Sequence, residues 1–152
     1  MKTKIWHYAK SILIPVVVWA VVWIVMNSFI DYETLNLPSL APSSATFPIV
    51  WTMLYILMWI SYWIILDKWL TDKKLNILYY IQLWVNALRS VLFFILKWRR
   101  FSFGWIILLD VLVLILLIKL YRKNKTSWLL QIPYMIRILF ATYLTLAVCL
   151  IN

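Results

Sequence analysis

The chain reads as an all-α integral membrane protein, a bundle of five transmembrane helices forming one domain over residues 1–152. Three observations support that reading. Continuous apolar runs fill the sequence, hydrophobic residues make up 66% of it against 13% charged, and basic residues cluster in alternate connecting segments. A soluble domain of this length needs more polar surface than those charges supply, and so hydrophobic a chain is not a disordered one. The runs are continuous instead of alternating, which argues against strands, because a lipid-facing open sheet leaves backbone groups unpaired.

The first run, 11–30, follows Lys2, Lys4 and Lys10. Its apolar core is too long for a typical signal peptide and no A-x-A-like site precedes Asp31, so it is expected to be retained. The second, 47–66, places Trp51 and Tyr55 one turn apart near its start. The third, 75–96, carries Arg89, and the fifth, 128–151, carries Pro133 and Arg137. A span needs about 20 residues at about 1.5 Å each. The fourth, 103–118, is short of that, with Trp105 and Tyr121 near its ends to meet the interfaces. Trp6, Trp69, Trp98 and Trp128 also fall where interfacial belts are expected.

Charge sets the orientation. The N-terminal segment and the 67–74 and 119–127 connections hold ten Lys and Arg; the 31–46 loop, the 97–102 connection and the C-terminus hold three. The positive-inside rule then places the N-terminus in the cytoplasm, and the C-terminus and the 31–46 loop outside. The net charge of +10 therefore serves orientation and contact with anionic headgroups, and nucleic acid is not an expected partner. The 31–46 loop contains Asp31, Glu33, Pro38 and Pro42. It is either a solvated linker or a lid with room to fold over a cavity.

The two basic residues left over, Arg89 and Arg137, lie inside spans. Arg89 and Asp110 flank Arg99 at ten and eleven residues, so on antiparallel neighbours both sit about 10 Å below the outer boundary. They either pair with each other, or Arg89 faces a cavity and attracts an anionic group. Arg137 has no acidic residue in its span, and a central arginine costs at least about 2.5 kcal/mol on insertion scales. It either satisfies the Leu129 carbonyl freed by Pro133 or binds an anion. Trp51 and Tyr55 make an aromatic face suited to packing or to a flat apolar ligand.

Catalytic and metal signatures are missing. There is no Ser/His/Asp set, no paired acid and base at usable spacing and no metal-ligand cluster. Cys149 is the sole cysteine, which rules out an internal disulfide and fits a buried or lipid-facing position. His7 is the sole histidine and lies on the cytoplasmic side, away from an outward-opening pocket. No resident cofactor is expected.

The stretch Phe47-Pro48-Ile49-Val50-Trp51-Thr52-Met53-Leu54-Tyr55-Ile56-Leu57-Met58 resembles the second-helix signature of the tryptophan-rich sensory protein family, which includes the mitochondrial translocator protein or peripheral benzodiazepine receptor. The resemblance continues through Gln82-Leu83, Asn86, Ser90, Phe93 and Phe94, then Pro133-Tyr134, Phe140-Ala141, Leu144 and Asn152. It implies a five-helix bundle, commonly dimeric, with a pocket under the first long loop for porphyrins, other tetrapyrroles, sterols or benzodiazepine-type compounds. Carried over by position, that pocket would involve Trp51, Tyr55, Asn86, Ser90 and Ala141, with Pro38 and Pro42 shaping the lid. For a homodimer, Ala87 with Ser90 and Ala141 with Thr145 offer small faces for close helix approach.

The departures are informative. Arg89 and Arg137 stand where the family pattern typically has tryptophan; Trp59 replaces a glycine and Thr145 an asparagine. Both changes to arginine turn an aromatic box cationic. A flat tetrapyrrole with propionate carboxylates could stack on Trp51 and Tyr55 while Arg89 and Arg137 pair with its acids. The leading expectation is a receptor or sensor-type membrane protein for such ligands. Its rivals are a transporter of them and a light-dependent porphyrin-degrading enzyme, in which Trp51 would be the redox partner.

Overall fold

The computed structural model describes residues 2–29, 36, 38–43 and 46–151, of which the side chains of 2–4, 25, 26, 29, 47 and 94 are left aside. Asp31, Glu33 and Asn152, and the side chains of Phe47 and Phe94, lie outside the described set.

The apolar runs form helices because lipid-soluble side chains cover a backbone that satisfies itself. Helix α1 spans Lys2–Phe29, α2 Thr46–Asp67, α3 Lys73–Ser90, α4 Arg99–Lys123 and α5 Lys125–Ile151. No strand occurs among the described residues. Four helices are long and apolar enough to cross a membrane: α1, α2, α4 and α5. Helix α3 is not among them, since Lys73, Lys74, Asn76, Gln82, Asn86 and Arg89 interrupt its apolar surface. The expected fourth span of 103–118 is too short, because α4 runs 25 residues. Charged residues at both ends, Arg99, Arg100, Arg122 and Lys123, belong to the helix.

The helix ends show local chemistry. Asp72 caps α3, its Oδ1 accepting from the Leu75 N–H at 2.6 Å. Asn124 alone separates α4 from α5: its N–H donates to the Leu120 carbonyl at 2.7 Å, and its side-chain oxygen accepts from the Ser127 N–H at 3.0 Å. Lys123 ties this corner to the α2–α3 turn, pairing with Asp72 at 2.9 Å and donating to the Leu70 carbonyl at 2.7 Å. Helix α2 ends with Trp69 at φ 56°, closed by Trp69 N–H to Leu66 and Leu70 N–H to Ile65 carbonyl bonds. This is the closure in which glycine is usual. Beyond α3 a π-helical turn, Val91–Ile95, leads to Lys97 at φ 55° before α4 begins.

Helix α4 packs most extensively along α5, α5 also along α2, and α1 along α2 and α3. The buried stripe of α4, Ile106, Leu109, Val113, Leu116 and Leu120, repeats every three or four residues and faces a core that includes Met58, Ile65, Leu75, Leu83 and Ile138. Trp105 donates its indole N–H to the Val85 carbonyl at 2.8 Å and joins α4 to α3. Ser90, Ala141 and Thr145 are buried inside the bundle, and Ala87 is half-buried.

Candidate ligand-binding site

Helical spacing builds one polar and aromatic cluster from α2, α3 and α5. Trp51 and Tyr55 are one turn apart on α2; Gln82, Asn86, Arg89 and Ser90 follow each other along one face of α3; Tyr134, Arg137 and Ala141 do the same on α5. Trp51 and Tyr55 are 8% and 5% exposed, with ring centroids 6.1 Å apart. The Arg89 guanidinium lies 5.8 Å from the Trp51 ring centroid, and the Arg137 guanidinium lies at the same distance from the same ring. The two cations are therefore separated by no more than twice that distance. Such contacts draw the cation to the negative face of the indole, on the order of 2 kcal/mol when desolvated. Arg137 also lies 5.4 Å from the Phe140 ring centroid.

Deeper in the bundle, the Asn86 side-chain amide donates to the Tyr55 hydroxyl at 3.1 Å. The Tyr134 hydroxyl donates to Gln82 Oε1 at 2.8 Å. The Gln82 Nε2, the Tyr79 hydroxyl and the Gln131 Oε1 are buried with no hydrogen-bond partner. Asp110, expected opposite Arg89, has one oxygen accepting from the Thr142 hydroxyl at 2.8 Å, and its other oxygen is buried with no hydrogen-bond partner. The hydrogen bond to Asp110 thus comes from α5, and Arg89 lies near enough to the same carboxylate to interact with it electrostatically.

Of the nine residues named from the sequence, Trp51, Tyr55, Asn86, Arg89, Ser90 and Ala141 are buried, and Arg137 is half-buried. Pro38 and Pro42 are half-buried in the short described part of the loop, where the Pro38 carbonyl accepts from the Ala41 N–H at 2.9 Å. Sequence reasoning missed Tyr79, Gln131 and Thr142. The signal was present for the first: Asn76, Tyr79, Gln82, Asn86 and Arg89 recur at three- and four-residue intervals, a polar stripe on one face of α3. No group of three or more metal-ligating side chains occurs among the described residues.

Long apolar helices enclosing polar and aromatic side chains define a multi-pass helical membrane protein. Comparison makes the class specific: residues 11–151 match the TspO/MBR family, and the chain belongs to that family. It is 34% identical over 123 residues to "Tryptophan-rich protein TspO" of Archaeoglobus fulgidus, covering 80% of this chain and 79% of that one. It is 31% identical over 124 residues to "Tryptophan-rich protein TspO" of Chlorobaculum tepidum, covering 80% and 78%.

Proposed function

We propose that this protein is a receptor or sensor-type membrane protein that binds a flat, apolar, carboxylate-bearing ligand of the porphyrin and tetrapyrrole class at the Trp51 cluster. The observation that carries this reading is the convergence of Arg89 and Arg137 on the Trp51 ring. Two guanidinium groups held close together inside a bundle repel each other, and an anionic edge with two carboxylates relieves that repulsion with charge-assisted hydrogen bonds. Binding is favoured over light-dependent degradation, because removing an electron from an indole flanked by two cations is electrostatically opposed.

In this reading the whole chain is one domain and α3, continued by the Val91–Ile95 turn, is the fifth span. Its polar face is sheltered by α1, α2, α4 and α5. The N-terminus is cytoplasmic, and the Trp51 end and the 31–46 loop lie outside, as the basic residues direct.

Fluorescence-quenching titration of the purified protein with protoporphyrin IX and with its dimethyl ester tests the reading. The free acid should bind more tightly than the ester, and Arg137→Leu or Arg89→Leu should weaken the acid by about tenfold or more while changing the ester little. Equal losses for acid and ester would remove carboxylate recognition from the account.

A further inference from the structure

A cavity lies at the other end of the bundle from the Trp51 cluster. It has a volume of about 430 Å³ and is lined by side chains of α1, α2, the α2–α3 turn and α3. Lining residues Tyr62 and Leu66 stand eleven and fifteen residues beyond Trp51 on α2, so the two sites are separated by about 16 to 22 Å along that helix. The volume falls within the range of small-molecule sites, roughly 300–1,000 Å³.

Its chemistry is one-sided. Lys10, His7 and Thr71 line it, the Lys10 ammonium lying 5.6 Å from the neighbouring Trp6 ring centroid, and no carboxylate is among the lining residues. Asn76 has its side-chain oxygen engaged by the Tyr62 hydroxyl at 2.6 Å, so what it offers the cavity is its amide N–H. Tyr8 has its hydroxyl committed to Asp67 at 3.2 Å. The remaining wall is aromatic. Tyr62 stacks on Tyr79 with centroids 4.0 Å apart and planes 3° from parallel, and Tyr80 meets Tyr62 edge-on at 5.9 Å. These contacts fix the rings before any ligand arrives, which lowers the ordering cost of binding.

Trp69 gives an independent indication. It lines the cavity, is 72% exposed and occupies the left-handed backbone region at φ 56°. That closure is met at less cost by glycine, and a bulky residue there is a true outlier. Strain of this kind is retained where the side chain has a use, and here it places an indole at the cavity wall.

We infer that this inner-end cavity is a second binding site, selective for a planar aromatic monoanion of the aryl carboxylate type. The ring packs among Trp69, Tyr62 and Tyr80, and the carboxylate is met by Lys10 with Asn76 and Thr71 as further donors. The site does not depend on the Trp51 cluster or on what binds there.

The full chain in nanodiscs of zwitterionic lipid, titrated calorimetrically with 2-naphthoate and with neutral 2-naphthamide, tests this. Naphthoate should bind saturably and the amide about tenfold more weakly. Lys10→Gln should weaken naphthoate by about fivefold or more, Lys10→Arg should retain it, and Trp69→Gly should weaken both ligands by about threefold or more. In Arg137→Leu a saturable naphthoate site sensitive to Lys10→Gln should remain. Thermal midpoints establish that each variant is folded, and Lys10 is exposed, so its replacement spares the core. The proposal is overturned by the absence of naphthoate binding, by indifference to both Lys10→Gln and Trp69→Gly, or by loss of binding in Arg137→Leu, which would move the ligand to the Trp51 cluster.

Discussion

The Tyr134–Gln82 hydrogen bond links α5 to α3 where both side chains are fully buried, and removing it one partner at a time has unequal consequences. Tyr134→Phe deletes the hydroxyl and leaves Gln82 Oε1 without its donor, while Gln82 Nε2 already has no hydrogen-bond partner. An entire buried amide is then unsatisfied, with a desolvation cost of about 1–3 kcal/mol. Interhelical bonds in membranes measure lower, about 0.6 kcal/mol on average and about 1.7 at most, so about 1–2 kcal/mol is expected. Gln82→Met strands only the hydroxyl and removes an already unpartnered nitrogen, which makes it the milder change, about 0–1 kcal/mol. The double variant removes every stranded group and should be more stable than Tyr134→Phe alone, with a coupling energy of about 0.6–1.7 kcal/mol. Unfolding in mixed micelles, followed by circular dichroism for all four proteins, reads this cycle. Simple additivity of the two single losses would refute the assigned bond and the stranded-amide reasoning.

Two further outcomes concern the bundle ends. Lys123 and the Leu75 N–H hold the Asp72 carboxyl below the usual carboxylate range. Stability from this pair is therefore complete above the unfolded carboxylate value, about 3.9, and is lost as pH falls through the lower folded value. Thermal midpoints measured from about pH 5 to pH 2 should fall less steeply in Asp72→Asn, and in Lys123→Met the fall should be smaller and should level off at higher pH. Gly104 is exposed on α4 and a Cβ added there meets nothing within 4 Å, so Gly104→Ala should stabilise by about 0.5–1 kcal/mol, seen as a higher midpoint with unchanged helix content.

Helix existence was legible in the sequence because lipid demands continuous apolar runs; helix length was not. Lys2, Lys4, His7 and Lys10 read as a flanking segment yet belong to α1, and Arg99, Arg100, Arg122 and Lys123 belong to α4. Charge marks the membrane boundary, and a helix does not stop at that boundary. At the candidate site, the types Trp, Arg, Asn and Tyr were readable from spacing and resemblance. That both arginines reach one indole was not, because it depends on the rotation of α3 and α5 about α2. Matched depth brought Arg89 and Asp110 within electrostatic reach of each other, but depth does not fix azimuth, and the hydrogen bond to the carboxylate comes from Thr142. The inner cavity left no motif at all, since three helices and a turn each supply a few of its residues.

The polar stripe of α3 bears on how the chain enters its membrane. A segment carrying Asn76, Gln82, Asn86 and Arg89 on one face is a poor candidate for release into lipid on its own, whatever its length. It must be retained beside helices already present until partners cover that face. Tyr55 on α2 is made beforehand and can take Asn86 at once; Tyr134 on α5 is made last, and only then is Gln82 engaged. On the five-span reading proposed above, integration is a cooperative event completed by the final helix. Chains ending at Lys123 should hold α3 incompletely in the bilayer, which glycosylation mapping of such truncations reads directly.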